Sequence, residues 1–208
     1  MFFSMPPLRA VAATIAAALL PLATQAVAQD KLDLKSAEKI VQARCSICHG
    51  LEGESASPIF PRLAGQHPAY IAKQLADFKS GRRKGTMNEQ AQTLSETDMK
   101  ALGAFFGQKK PKAHRVADPD LAAVGRYIYH KGNPFSGVAS CESCHGPKGE
   151  GTVQLPRLAG QHAAYLQSQL KEFNTRERTN DNAVMHAIAS KLTELEVRAV
   201  AVYLSGQL

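Results

Sequence analysis

Apolar side chains at Ile71, Leu75 and Phe78 fall at i, i+4 and i+7, and Leu166, Leu170 and Phe173 repeat that interval 95 residues later. Each set marks one face of an amphipathic helix, and Pro68 suits the first turn of the earlier one, where a missing amide hydrogen costs nothing. Further on, Ser95 followed by Asp98, and Thr193 followed by Glu196, have the spacing of capping boxes, with Leu94 and Leu192 placed as hydrophobic staples. Gly107 and Gly206 stand where the helices that begin there should stop. Upstream, Ser36 is positioned to cap a helix running into Cys45, and Asp118-Pro119 to start one ending near Lys131-Gly132. No stretch alternates apolar and polar residues over a useful length. The pattern predicts an all-α protein and assigns these apolar positions, Met99 among them, to a core.

The same features occur twice in the same order. PRLAGQHPAYIAKQLADF (61–78) matches PRLAGQHAAYLQSQLKEF (156–173), and Met87 with its following LSETDMKALGAFFG matches Met185 with LTELEVRAVAVYLSG. Between the repeats, KKPKAHRVADPD (109–120) breaks the periodicity with prolines and mixed charge. The chain therefore divides into an N-terminal domain over 29–112, a linker over 113–119 and a C-terminal domain over 120–208. Domains of about 90 residues are small for an independent core and call for a cofactor or another staple.

Each repeat opens on a cysteine motif, CSICHG at 45–50 and CESCHG at 141–146. Cysteines at i and i+3 of a helical turn project toward one side, where both can form thioether bonds to the vinyl groups of one haem while the adjacent histidine reaches its iron. Histidine with methionine is the axial pair of electron-transfer cytochromes c. Three other chemistries share parts of this pattern. A zinc site made jointly by the two cysteine pairs leaves the histidines and methionines unexplained. A thioredoxin-like redox pair expects a βαβ context, and a local disulfide explains the cysteines but not the repeat.

Residues 1–28 have one arginine, Arg9, then an uncharged Ala/Leu-rich run closed by Ala26-Val27-Ala28. This reads as a signal peptide removed before Gln29; retained, it would anchor the protein at the membrane. Without it the net charge falls from +7 to +6. Export points to the periplasm, an oxidising compartment in which adjacent cysteines would pair unless otherwise engaged. A basic exported haem protein does not call for nucleic acid; its charge suits acidic proteins or anionic lipid.

Both halves resemble class I cytochrome c domains, and the tandem arrangement, with CHGPKGEG, PRLAGQHAAY and the terminal MHAIASKLTELEVRAVAVYLSG, resembles the di-haem cytochrome c4 family along nearly all of the mature chain. The resemblance implies two helical domains facing each other, two covalently bound haem c, and a periplasmic or membrane-associated carrier that takes electrons from a membrane quinol-oxidising complex and delivers them to a terminal oxidase. Carried over, Cys45, Cys48, His49 and Met87 serve the first haem, and Cys141, Cys144, His145 and Met185 the second. In such domains a proline carbonyl accepts the free N–H of the proximal histidine. Pro61 and Pro156 stand at about the right distance, with Pro58 a further candidate in the first half.

With both axial positions filled by protein, no substrate reaches the iron without displacing a ligand, and the expected task is outer-sphere electron transfer rather than catalysis. The alternatives are an electron-accepting subunit of a dehydrogenase and a di-haem enzyme of peroxidase or sulfur-oxidising type. His67 and His162 read as capping or local hydrogen-bonding residues, or as alternative ligands. His186 neighbours Met185 where the first half has Asn88. Residues 29–112 hold 14 Lys+Arg against 9 Asp+Glu, and 120–208 hold 9 against 8. The excess includes Lys79, Arg82, Arg83 and Lys84, expected to form a docking surface beside the first methionine.

Overall fold

The structure, a computed structural model, describes Met1 and residues 32–208. The signal-peptide assignment lies outside the described residues. Helix α1 (Leu34–Ile40) continues through a π-helical turn (Val41–Cys45) into the short α2 (Ser46–His49). Its cap is Asp33 and not Ser36: Asp33 Oδ1 accepts from the amides of Lys35 and Ser36, each at 3.0 Å. A carboxylate three residues earlier satisfies two free N–H groups and suits the positive end of the helix dipole.

The first half continues with α3 (Pro68–Lys79), α4 (Met87–Ala91) and α5 (Glu96–Gly107); the second comprises α6 (Pro119–Lys131), α7 (Glu142–His145), α8 (Ala163–Thr175), α9 (Val184–Ala189) and α10 (Glu194–Ser205). Among the described residues no strand forms; one isolated antiparallel bridge, Asn133 to Val138, closes the segment GNPFSGVAS (132–140), which has no counterpart ahead of Cys45. Both capping boxes are present, with Asp98 N donating to Ser95 Oγ and Ser95 N to Asp98 Oδ2, and the same exchange between Glu196 and Thr193. Pro68 is the first residue of α3.

The predicted apolar faces are the core faces. Ile71, Leu75 and Phe78 are buried on α3 and join Ala37, Val41, Leu94, Met99, Leu102, Phe105 and Phe106 around the α1/α3/α5 packing. In the second half Leu166 and Phe173 are buried while Leu170 is half-buried, and Ile128, Tyr129, Val200 and Leu204 fill the α6/α8/α10 packing. Full burial of such a side chain is worth about 1.5–3 kcal/mol.

The final helices do end at Gly107 and just before Gly206, but neither glycine takes the left-handed conformation of a C-cap. Each is small because something lies against it: a Cβ at Gly107 would come within 2.7 Å of Pro68 Cγ, and one at Gly206 within 2.1 Å of Val116 Cγ2.

Residues 32–208 form one compact unit, in which the two halves bond reciprocally. Gln66 Oε1 accepts from Arg157 N at 2.8 Å and its Nε2 donates to Arg157 O at 2.9 Å; Gln161 makes the same two bonds to Arg62, at 2.8 and 2.9 Å. His67 and His162 cross the same boundary, Nε2 donating to Glu150 O at 2.9 Å and to Ser55 O at 2.8 Å. They are therefore interdomain residues and not local caps. The linker lies along the first half, where Glu54 accepts from Lys112 N at 2.8 Å and pairs with His114 at 3.0 Å.

Candidate functional site

In each half the cysteine motif closes one helical turn and ends on a buried histidine. In the second half His145 N donates to Cys141 O at 2.9 Å and Gly146 N to Glu142 O at 3.0 Å; Gly50 N donates likewise to Ser46 O at 2.9 Å. Gly50 (φ 74°, ψ 155°) and Gly146 (φ 81°, ψ 161°) then turn the chain through a region open essentially to glycine alone. That turn lets the following segment come back over the histidine.

His49 is 6% exposed and His145 7%. The returning segment places Pro61 O 2.8 Å from His49 Nδ1 and Pro156 O 3.2 Å from His145 Nδ1. A carbonyl only accepts, so Nδ1 carries the hydrogen in both rings and Nε2 keeps its lone pair for a metal. Burial pushes both imidazoles below the ordinary histidine value, against the opposing effect of the proline hydrogen bond, and favours the neutral ligating form. Pro61 and Pro156 thus orient the rings as expected, and Pro58 does not take part in this bond. Phe60 adds an edge contact to His49, with ring centroids 6.3 Å apart.

None of the four cysteines is paired with another. Burial raises the Cys45 thiol and pushes Cys141 up to about 11. Among the described residues no three His, Cys, Asp or Glu side chains converge on a metal-sized site, so the two cysteine pairs do not join in one zinc centre. Two thiols and one neutral imidazole per half, on a single turn, are the donor set for a covalently attached haem.

Met87 begins α4, half-buried against the same core cluster as Cys45. Its neighbour Asn88 donates through Nδ2 to Phe78 O at 2.6 Å and to Arg83 O at 2.9 Å. Met185 lies in α9, its amide donating to Asp181 Oδ2 at 2.7 Å, and His186 Nδ1 donates to Phe173 O at 3.0 Å. His186 thus does for the second loop what Asn88 does for the first. The stretch from Phe173 to Met185 is three residues longer than that from Phe78 to Met87, and within it Arg176, Asn182 and Ala183 take positive φ. Met99 is 5% exposed inside α5, a core residue.

The expected basic cluster beside Met87 is only partly a surface. Arg83 is 7% exposed and turned inward. Lys79 Nζ donates to Leu94 O at 2.6 Å, and Arg82 pairs with Asp77 at 2.8 Å while its side chain stays 67% exposed. Lys79, Arg82 and Lys84 are exposed, Arg83 alone of the four being buried. Arg83 is taken inward because the amide and hydroxyl oxygens of Gln74, Gln169 and Tyr165 surround its guanidinium. The interdomain roles of Gln66, His67, Arg83 and their counterparts escaped the sequence reading. Their signal was the recurrence of polar residues in both repeats outside the cysteine motif.

Residues 125–207 match the cytochrome c family model, and residues 32–106 match that of subunit III of cbb3-type cytochrome c oxidase. The chain is 41% identical over 186 residues to cytochrome c4 of Thiocapsa roseopersicina, covering 88% of this chain and 96% of that one. It is 35% identical to a thiosulfate dehydrogenase electron acceptor of Stutzerimonas stutzeri, covering 93% of each. The crystal structure of reduced cytochrome c4 from Pseudomonas stutzeri superimposes with a TM-score of 0.80 at 34% identity, over 86% of this chain and all of that one. Two matched domains, two Cys-x-x-Cys-His motifs and relatives aligned over nearly their whole length place the chain in the di-haem cytochrome c4 family, as an electron-transfer protein and not an enzyme, with two covalently bound haem c groups.

Proposed function

We propose that His49 with Met87 would ligate the first haem iron and His145 with Met185 the second, that Cys45 with Cys48 and Cys141 with Cys144 would make the thioether attachments, and that the domains divide at 29–112, 113–119 and 120–208. Each haem c, when bound, supplies one-electron exchange at its iron. The chain's part is to hold ring orientation through Pro61 and Pro156, to fix each methionine ahead of the last core helix, and to keep the halves in register. The observation that carries the reading is its duplication. In both halves a buried histidine commits Nδ1 to a proline carbonyl, and in both the residue after the methionine bonds the carbonyl of the phenylalanine that closes the preceding apolar face.

On this reading the protein is exported to the periplasm by residues 1–28 and carries electrons from a membrane quinol-oxidising complex to a terminal oxidase, free or peripherally associated with the membrane. No helix among the described residues is long and apolar enough to cross a membrane. A second reading is favoured by one relative: the Stutzerimonas stutzeri protein is named as an electron acceptor of thiosulfate dehydrogenase, so this chain would take electrons from a sulfur-compound dehydrogenase. Stopped-flow reduction of the purified holoprotein separates the two. Rapid reduction by quinol-reduced membranes and reoxidation by oxidase-containing membranes supports the respiratory reading; reduction only by a thiosulfate-oxidising dehydrogenase supports the second.

A further inference from the structure

Two arginines, each just upstream of a methionine, leave their own half and end in the other. Arg83 NH2 donates to Tyr165 OH at 2.8 Å and to Gln169 Oε1 at 2.6 Å, both on α8, while NH1 donates to Gln74 Oε1 at 2.8 Å on α3. Arg178 mirrors it: NH2 reaches Tyr70 OH at 2.9 Å and Gln74 Oε1 at 3.1 Å on α3, and NH1 reaches Gln169 Oε1 at 2.6 Å on α8. Their backbones repeat the symmetry, Arg83 N donating to Asp77 O and Arg178 N to Glu172 O, each at 3.0 Å. Each guanidinium also stacks on its own half's phenylalanine, Phe78 at 4.6 Å and Phe173 at 4.4 Å.

Both arginines are buried, at 7% and 6% exposure, and the oxygens they contact are those of amides and phenols. Two like charges sharing neutral acceptors are held by geometry more than by ion pairing, and a planar fork with fixed donors suits that task where lysine would not. From Arg83 the chain of contacts continues to the methionine, because Arg83 O accepts from Asn88, the residue after Met87.

We propose that each methionine loop is clamped by the opposite half: Tyr165 and Gln169 of the second half hold the loop of Met87 through Arg83, and Tyr70 and Gln74 of the first half hold the loop of Met185 through Arg178. These are positioning residues. The proposal rests on the axial roles of Met87 and Met185. Its consequence is that ligation at one iron depends on side chains of the other domain, so the two haems are mechanically linked across the interface.

The test is a crossed pattern in the full-length holoprotein. Among the described residues Tyr165 Oη bonds Arg83 alone and Tyr70 Oη bonds Arg178 alone, so Tyr165→Phe and Tyr70→Phe remove one contact each and keep shape. The readouts are the shifted methyl resonance of the ligating methionine in each ferrous haem, assigned with Met87→Ala and Met185→Ala, and the rate at which added imidazole displaces each methionine from ferric iron. Tyr165→Phe, a change in the second half, should speed displacement at the first-half haem roughly tenfold and leave the second within about twofold, as loss of one bond to a charged group implies. Tyr70→Phe should do the reverse. Effects confined to the variant's own half, equal at both haems, or absent at both overturn the clamp. If Met87→Ala and Met185→Ala remove no shifted resonance from the otherwise unaltered chain, the ligation reading fails and the clamp with it. Intact resonances with an uncrossed response overturn the clamp alone.

Discussion

Gln66 and Gln161 each bond the backbone of the residue that follows the other half's ring-orienting proline: Gln66 takes both polar groups of Arg157, after Pro156, and Gln161 both of Arg62, after Pro61. The segment whose proline carbonyl orients each buried histidine is thereby fixed from across the interface.

Replacing Gln66 by leucine leaves the Arg157 amide and carbonyl without their partner in a closed interface. A buried group so orphaned costs about 1–3 kcal/mol, and for a chain of this size the melting point should fall by roughly 2–4 °C per kcal/mol. Gln161→Leu should match it, and the double variant should lose less than the sum because both act on one contact surface. Thermal unfolding of the holoprotein followed by circular dichroism measures all three; strictly additive losses would mean that the two glutamines act independently.

Asp77 ties α3 to the second half, accepting from Asn180 Nδ2 at 2.7 Å and pairing with Lys73 at 2.5 Å and Arg82 at 2.8 Å. Burial of its side chain pushes the carboxyl up, but the hydrogen bonds from Lys73 and Asn180 and the charges of Lys73 and Arg82 outweigh this and hold it below the ordinary aspartate value of 3.8. A depressed folded-state value contributes stability that is present above the unfolded value and lost as pH falls through the folded one. Acid titration below pH 3.8 should therefore destabilise the native protein in part through this group. Asp77→Asn should cost about 1–3 kcal/mol at neutral pH and flatten the acid dependence. The check is denaturant unfolding at a series of pH values; an unaltered acid slope in the variant would assign the loss to other carboxylates.

Much of the fold was legible in periodicity alone. Ile71, Leu75 and Phe78 are spaced by the helical period and buried by it, and Ser95 and Thr193 cap because the bonding partner is encoded three residues on. The cysteine, histidine and proline geometry was legible for the same reason, since all its parts lie within about one loop of sequence. Arg83 was not. Lys79, Arg82, Arg83 and Lys84 read as one outward docking surface, and what turns Arg83 inward includes oxygens of Tyr165 and Gln169, 82 and 86 residues away on a helix that sequence spacing alone does not bring near. His67 and His162 were misplaced likewise, because a partner in the other half leaves no local trace. Ser36 gave way to Asp33 because both satisfy the cap rule and the carboxylate is the stronger acceptor.

The cysteine pairs predict a stoichiometry for variants. Cys141→Ala with Cys144→Ala should give a holoprotein lighter by one haem, with the α6/α8/α10 core loosened because a small domain depends on its cofactor. Intact mass and the circular dichroism melt are the measurements, and recovery of two covalent haems from this variant would overturn the attachment assignment.

Arg82 and Lys84 are exposed cations beside the first methionine loop whose charged groups, unlike that of Lys79, do not bond the Leu94 carbonyl, and they lie on the half that carries the charge excess. Reversing both to glutamate should slow association with an acidic redox partner several-fold at low salt and flatten its salt dependence, since steering fades as the Debye length shrinks to about 8 Å near physiological ionic strength. Stopped-flow rates over a salt series test this; an unchanged rate and slope would place docking on another face.

On the proposed ligation both irons are closed by protein, and the resting ferric holoprotein reports that directly. Its absorption and electron paramagnetic resonance spectra should show low-spin haem alone, with the weak red band of methionine-ligated iron reduced by about half in Met87→Ala and by the same amount in Met185→Ala, as one ligand of two implies. A high-spin haem in the unaltered protein, or a band that survives loss of either methionine undiminished, would contradict it.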